Sequence, residues 1–250
     1  MLQRNAIKKF LLEIFFPKFC FRCQREGSYL CQDCLATLDV LENVFCLCEN
    51  PSRLPLAGKC RNCSALHLDG LYFAASYKNS LIRKLIHQFK YEPYTKELAT
   101  SLALLIITHF NLIQKEFEKE EFIFVPVPLS RKKLKKRGFN QSEEIGKELA
   151  ENLPARIGCA EGVAGGKIPL VADCLIKEKE TPPQMELPKE ERIKNIKGAF
   201  SVKNSEILKN KKILLVDDVY TTGATMEECS KILKRAGAKE VWGVVVARGE

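Results

Sequence analysis

No apolar run in this 250-residue chain approaches the about 20 residues that a membrane-spanning helix needs. The amino-terminal stretch through Phe16 is interrupted by Lys8, Lys9 and Glu13 and has no small-residue cleavage site, so it reads as an amphipathic helix rather than a signal peptide. Together these absences set the expectation of a cytoplasmic protein. No Gly-Lys-Ser/Thr triplet occurs, which excludes a Walker nucleotide loop. Also missing are the wide cysteine separations of a disulfide framework. What is present is 46% hydrophobic content, a formal charge of +9 and eleven cysteines. That suffices for a full α/β core with a smaller second module.

The cysteines are placed unevenly. Eight of them form four close pairs, Cys20/Cys23, Cys31/Cys34, Cys46/Cys48 and Cys60/Cys63. A close pair lets two thiolates reach one tetrahedral ion from a tight turn, so the cluster points to structural Zn²⁺. Sequential pairing places Cys20, Cys23, Cys31 and Cys34 on one ion and Cys46, Cys48, Cys60 and Cys63 on another. An interleaved arrangement would instead join the first pair to the third. The single-residue spacer in Cys46-Leu47-Cys48 is tight, and His67 is a nearby substitute ligand. Eight deprotonated thiolates and two Zn²⁺ would take the formal charge from +9 to about +5.

The chemistry concentrates at residues 213–225. Ile213 to Val216 is a continuous apolar run of the kind found in buried parallel strands. Asp217 and Asp218 follow at its carboxyl end, then a small-residue loop, Thr221-Thr222-Gly223-Ala224-Thr225. An amphipathic helix comes next, with Met226, Cys229, Ile232, Leu233 and Ala236 on one face. The loop and the helix amino terminus converge backbone N–H groups on an anion, and Gly223 allows close approach. The acids repel a phosphate and suit hydroxyl groups or a metal. A phosphate beside a vicinal diol describes a ribose 5-phosphate.

Elsewhere, strands are expected at 71–77, 121–127, within 168–176, and at 212–217 and 240–247. Helices are expected at 81–89, 96–113 and 140–152, the last opened by Asn140 as N-cap with Glu143 three residues on. Alternating strands and helices imply an open parallel sheet covered on both faces, with its ligand beyond the carboxyl strand ends. The expected division is a cysteine module within residues 1–66 and the α/β domain in 67–250. A second constellation, Val125-Pro126-Val127-Pro128-Leu129-Ser130-Arg131, ends a strand and leads into a basic loop through Arg137. Such a run can neutralise pyrophosphate, bind a nucleic-acid backbone or solvate a surface. It closes in Arg137-Gly138-Phe139-Asn140-Gln141, and Phe139 is the only aromatic residue nearby. The stretches 153–166 and 177–197 read as loops.

The order of residues 213–225 closely resembles the fingerprint of type I phosphoribosyltransferases, which bind phosphoribosyl pyrophosphate (PRPP). The cysteine-paired amino terminus, Val-Pro-Val-Pro-Leu, Arg-Gly-Phe-Asn-Gln, and Gln184, Arg192 and Asn195 ahead of Gly198-Ala199-Phe200 extend the likeness. Together they resemble the ComF competence family, over nearly the whole chain. The resemblance implies a type I phosphoribosyltransferase-like sheet with an N-terminal zinc-ribbon module. It implies that Asp217 and Asp218 hold the ribose hydroxyls and that Thr221, Thr222, Gly223, Ala224 and Thr225 wrap the 5-phosphate. Pro128, Leu129, Ser130 and Arg131 would take pyrophosphate, and a hood at 181–195 would close over it, with Arg137 and Arg192 on phosphate oxygens and Mg²⁺ accompanying the PRPP. Single-stranded DNA, a competence helicase and a membrane DNA channel are the implied partners. Two functional classes follow: a PRPP-binding protein, catalytic or not, that assists DNA uptake, and a nucleic-acid or protein adaptor that keeps the PRPP site as a sensor. A zinc-ribbon DNA binder with an inert domain would leave the fingerprint unexplained.

Overall fold

The computed structural model describes residues 17–92, 94–117, 121–153, 166–181 and 188–249. The expected amino-terminal helix, Gln184 and most of the Gly/Ala-rich stretch after Leu153 lie outside them.

The cysteine segment comes first, with helix α1 (Gln32–Ala36), the short hairpin of β1 (Val44–Phe45) and β2 (Arg53–Leu54), and a 3₁₀ turn at Arg61–Cys63. Then follow β3 (Gly70–Ser76), α2 (Ser80–Lys90), α3 (Leu98–Leu112), β4 (Phe122–Pro126), α4 (Arg131–Arg137) and α5 (Gln141–Asn152). The chain continues through β5 (Leu175–Lys177), α6 (Lys189–Ile196), β6 (Phe200–Val202), β7 (Lys212–Tyr220), α7 (Ala224–Arg235) and β8 (Glu240–Arg248). The main sheet is parallel throughout, in the order β3-β8-β7-β4. Residues 169–171 add a short parallel bridge beyond β4, through Phe124 N–H to the Pro169 carbonyl at 2.9 Å and Val171 N–H to the Phe124 carbonyl at 2.8 Å.

Alternation along the strands separates two cores. Tyr72, Phe122, Phe124, Leu214, Val216 and Val244 pack with α2, α3 and α5 on one face. Phe73, Ile123, Val125, Ile213, Leu215 and Val245 pack with α7 and the small antiparallel β5–β6 pair on the other. The cysteine segment straddles the β3 edge. Cys20, Cys31 and Cys34 belong to the first core and Cys46 and Cys63 to the second, and Leu41 N–H bonds to the Ala74 carbonyl at 2.8 Å.

Three local readings change. The basic run after Ser130 is helical, not a loop: Ser130 caps its start, Lys, Leu and Arg are good helix formers, and Gly138 ends it in a left-handed conformation at φ 79°. The strand expected within 168–176 divides between the bridge at 169–171 and β5, and residues 189–196 of the expected loop form α6. Finally, β7 runs past the two acids to Tyr220, because β8 continues to pair with it as far as Arg248.

Candidate phosphoribosyl site

From β4 the chain crosses to the bridge at 169–171 on one side, and from β7 it crosses to β8 on the other. The two strands are neighbours, so a crevice opens beyond their carboxyl ends, the switch point at which open α/β sheets bind ligands. Both motifs meet there. Pro128 and Leu129 are half-buried, Ser130 is buried and Arg131 is exposed at the end of β4. Asp217 and Asp218 lie near the end of β7.

The acids are held from three elements. Ser142, in the first turn of α5, donates its hydroxyl to Asp217 Oδ1 at 2.8 Å, and Asp218 N–H donates to the same oxygen at 2.9 Å. Asn140 fixes that helix start: its Oδ1 accepts Ser142 N–H at 3.2 Å and its Nδ2 donates to the Val127 carbonyl at 3.1 Å. Lys90 Nζ lies 2.8 Å from Asp218 Oδ1. It is delivered by α2, which Asn79 caps by accepting the N–H groups of Leu81 and Ile82, and whose Ile82, Leu85, Ile86 and Phe89 anchor its buried face. Burial opposes the Lys90 charge, yet the Asp218 carboxylate more than compensates and raises its pKa.

Burial and the neighbouring Asp218 charge push Asp217 up to about 7, against the opposing pull of Lys90 and Ser142. An acid whose pKa rises on folding costs stability where it is ionised, so the cost grows as pH climbs from about 4 to about 7 and then levels off. Asp217→Asn is therefore expected to raise the melting temperature by about 3 °C or more at pH 8, a gain that disappears towards pH 4. Thermal melts of both proteins across that range check this.

After the acids, Gly223 takes φ 76° and caps α7 without a side-chain bond. A Cβ there would stand 2.3 Å from the Tyr220 hydroxyl. Thr221 is exposed, Thr222 and Thr225 are half-buried and Ala224 is buried. Gly223→Ala should cost about 2 kcal/mol or more, readable by urea titration, because it combines a left-handed backbone with a collision.

Of the remaining expected residues, Arg137 donates to Gln141 Oε1 at 2.9 Å and lies 5.6 Å from the Tyr91 ring centroid, next in sequence to Lys90. Gln141 in turn donates to the Phe89 carbonyl at 3.2 Å. Arg192 is half-buried in α6, which lies against α7. Two residues of the segment before the expected hood were not foreseen. Glu180 accepts Lys132 N–H at 3.0 Å, and this bond together with the Ser130 hydroxyl holds its pKa low. Lys177 donates to Thr181 Oγ1 at 2.8 Å, and its pKa is lowered by burial and by Lys133, with Asp217 among the charges that oppose the shift. Lys90 was also missed. Its only signal was its place in the last turn of an amphipathic helix, where a basic residue is ordinary.

The two cysteine tetrads form by sequential pairing, and within each the four sulfurs lie within 4.8 Å of one another. Sγ–Sγ distances of 3.6 Å for Cys23–Cys31, 3.4 Å for Cys48–Cys60 and 3.6 Å for Cys60–Cys63 suit a tetrahedral ion. Zn–S bonds of about 2.3 Å would separate the sulfurs by about 3.8 Å. The short Cys46-x-Cys48 spacer is accommodated, with Ser52 N–H bonding to Cys46 Sγ at 3.2 Å. Burial opposes the Cys20 thiolate, but the N–H groups of Cys23, Cys31 and Arg22 outweigh it and bring the pKa to about 6. His67 is not in either tetrad. Its Nδ1 lies 2.7 Å from Glu227 Oε1.

Among the described residues, no helix is long and apolar enough to cross a membrane. Residues 140–250 match the phosphoribosyl transferase domain family. The chain is 28% identical to competence protein ComFC of Streptococcus pneumoniae over 87% of each chain. It is 30% identical to competence protein F of Haemophilus influenzae, over 65% of this chain and 67% of that one. It is also 30% identical to the DNA utilization protein YhgH of Salmonella typhimurium, over 63% and 64% of the two chains. Paired cysteines, a parallel sheet with its acids at the switch point and these relatives agree: the chain belongs to the ComF competence family, with a phosphoribosyltransferase-type domain and amino-terminal cysteine clusters suited to a metal.

Proposed function

We propose that the chain binds PRPP at the carboxyl ends of β4 and β7 and serves DNA uptake in competence. One observation carries this reading: Asp217 and Asp218 are held by Ser142 and Lys90 within a few residues of the left-handed Gly223 turn. The acids accept the ribose 2′- and 3′-hydroxyls, and residues 221–225 take the 5-phosphate with the N–H groups that open α7. Lys90, freed from Asp218, and Arg131 at the start of α4 face the pyrophosphate charge. Mg²⁺, if it accompanies PRPP, would be held near Asp217 and Asp218 and would offset the charge of the leaving pyrophosphate. If catalysis follows, departing pyrophosphate leaves positive character at C1, which the acid pair stabilises while an acceptor attacks. The α/β domain would span residues 67–250, with zinc as a staple in the preceding module. Single-stranded DNA would meet the basic face of α4, in the cytoplasm, beside a helicase and a membrane DNA channel. The relatives' names, competence protein and DNA utilization protein, support that setting.

The Lys90–Asp218 ion pair favours a second use of the same site. A hydroxyl arriving at Asp218 would compete with Lys90 for that carboxylate, which couples binding to the last turn of α2 and would serve a non-catalytic sensor. Calorimetric titration of PRPP with Mg²⁺ into zinc-loaded protein tests the shared premise, and pyrophosphate release on adding an acceptor separates the two uses. No binding at millimolar PRPP would overturn both.

A further inference from the structure

The second cysteine tetrad is tied to residues 221–226 from two sides. Arg248, the last residue of β8, is buried; its Nη1 donates to the Cys46 carbonyl at 2.7 Å and its Nη2 to the Cys48 carbonyl. The guanidinium lies 5.3 Å from the ring centroid of Tyr220, its partner in the β7–β8 register, and 5.7 Å from that of Phe73. Tyr220 in turn fills the space beneath Gly223, its hydroxyl standing where a Cβ would project. On the other side, Glu227 in the first turn of α7 accepts the N–H groups of His67 at 2.8 Å and Leu68 at 3.1 Å, just past Cys63. The loop is thus clamped between two struts that end on the same metal-ligating segment. The first tetrad has its buried cysteines in the core on the opposite face of the sheet.

Charge links the struts to the metal. Four thiolates around Zn²⁺ carry a net charge of −2, a counter-charge for a guanidinium that is otherwise buried among carbonyls and rings. Losing the ion removes that counter-charge and frees the two carbonyls that the arginine grips. From this geometry we infer that Arg248, Tyr220 and Glu227 are positioning residues, which order the 221–226 loop only while the Cys46/Cys48/Cys60/Cys63 tetrad holds its metal. Occupancy of the second zinc site then sets affinity at a phosphate loop whose residues are not its ligands. The consequence for PRPP rests on the function proposed above, whereas the effect on loop order does not.

Hydrogen exchange of the peptide covering 221–226, zinc content and PRPP calorimetry on the full chain test this together. Cys48→Ser with Cys60→Ser should leave one zinc per chain, speed exchange in that peptide about tenfold or more and weaken PRPP by a similar factor. Cys23→Ser with Cys31→Ser should also remove one zinc but leave exchange at 221–226 unchanged. Arg248→Gln should keep both metals and still speed exchange there, which guards against a second-tetrad variant that unfolds. Unchanged exchange in Arg248→Gln, or equal effects from emptying either tetrad, would overturn the inference. Faster loop exchange in a protein whose wild type binds no PRPP would uphold the strut and refute only the ligand.

Discussion

Asp217→Asn combined with Asp218→Asn is expected to weaken PRPP binding by at least about 100-fold, because each carboxylate contributes a charge-assisted hydrogen bond worth roughly 1.5–3 kcal/mol. An amide can still accept from a hydroxyl, but without the charge that makes the bond strong. The fold should survive. Removing the Asp217 charge relieves a buried carboxylate whose pKa stands near 7, while removing the Asp218 charge leaves Lys90 without the acid 2.8 Å away. These effects oppose each other. Affinity for single-stranded DNA, followed by fluorescence anisotropy, should stay within about twofold, since the basic residues that would meet phosphates lie on α4. Parallel loss of both affinities would mean one shared site, and unaltered PRPP binding would remove the acids from the proposal.

The second large effect belongs to the first cysteine tetrad, taken as a zinc site. Cys20→Ser with Cys23→Ser leaves Cys31 and Cys34 to hold an ion alone, and Cys20 is fully buried in a core shared with Leu30, Leu38 and the α2–α3 pair. Structural zinc in small modules contributes an apparent binding free energy of about 10 kcal/mol or more, comparable to the whole stability of a typical domain. A polar hydroxyl placed there also lacks the metal that the position is shaped for. The expected result is a protein with half the wild-type zinc content and loss of cooperative thermal unfolding for the amino-terminal segment, read by calorimetry. Unchanged zinc content in a cooperatively folded variant would refute the assignment of these ligands.

How far the sequence led can be judged from particular residues. The strand at 213–216, its acids, the Gly223 turn and α7 were legible because strand, loop and helix are consecutive and each carries its own periodicity. The Asn140 cap was legible for the same reason. Contacts between distant segments were not. Lys90 meets Asp218 across 128 positions of chain, and Ser142 meets Asp217 across 75. No local pattern encodes either meeting; the topology makes them. Cysteine spacing marked out the eight clustered residues but not their grouping into two tetrads, which depends on how the segment wraps around β3. Arg131 to Arg137 was misread because a charge run looks like a loop until Ser130 and Gly138 are recognised as its two caps.

The position of β3 has a further consequence. It pairs with β8 on one side, and on the other the chain around Leu41 and the flanking tetrads cover an apolar strand, Leu71 to Ala75, that is buried throughout. An uncovered strand of this kind is a template for intermolecular pairing. If the tetrads hold zinc as proposed, its loss would uncover this edge and drive the protein towards aggregation, so metal supply would govern how much of it exists as well as how it works.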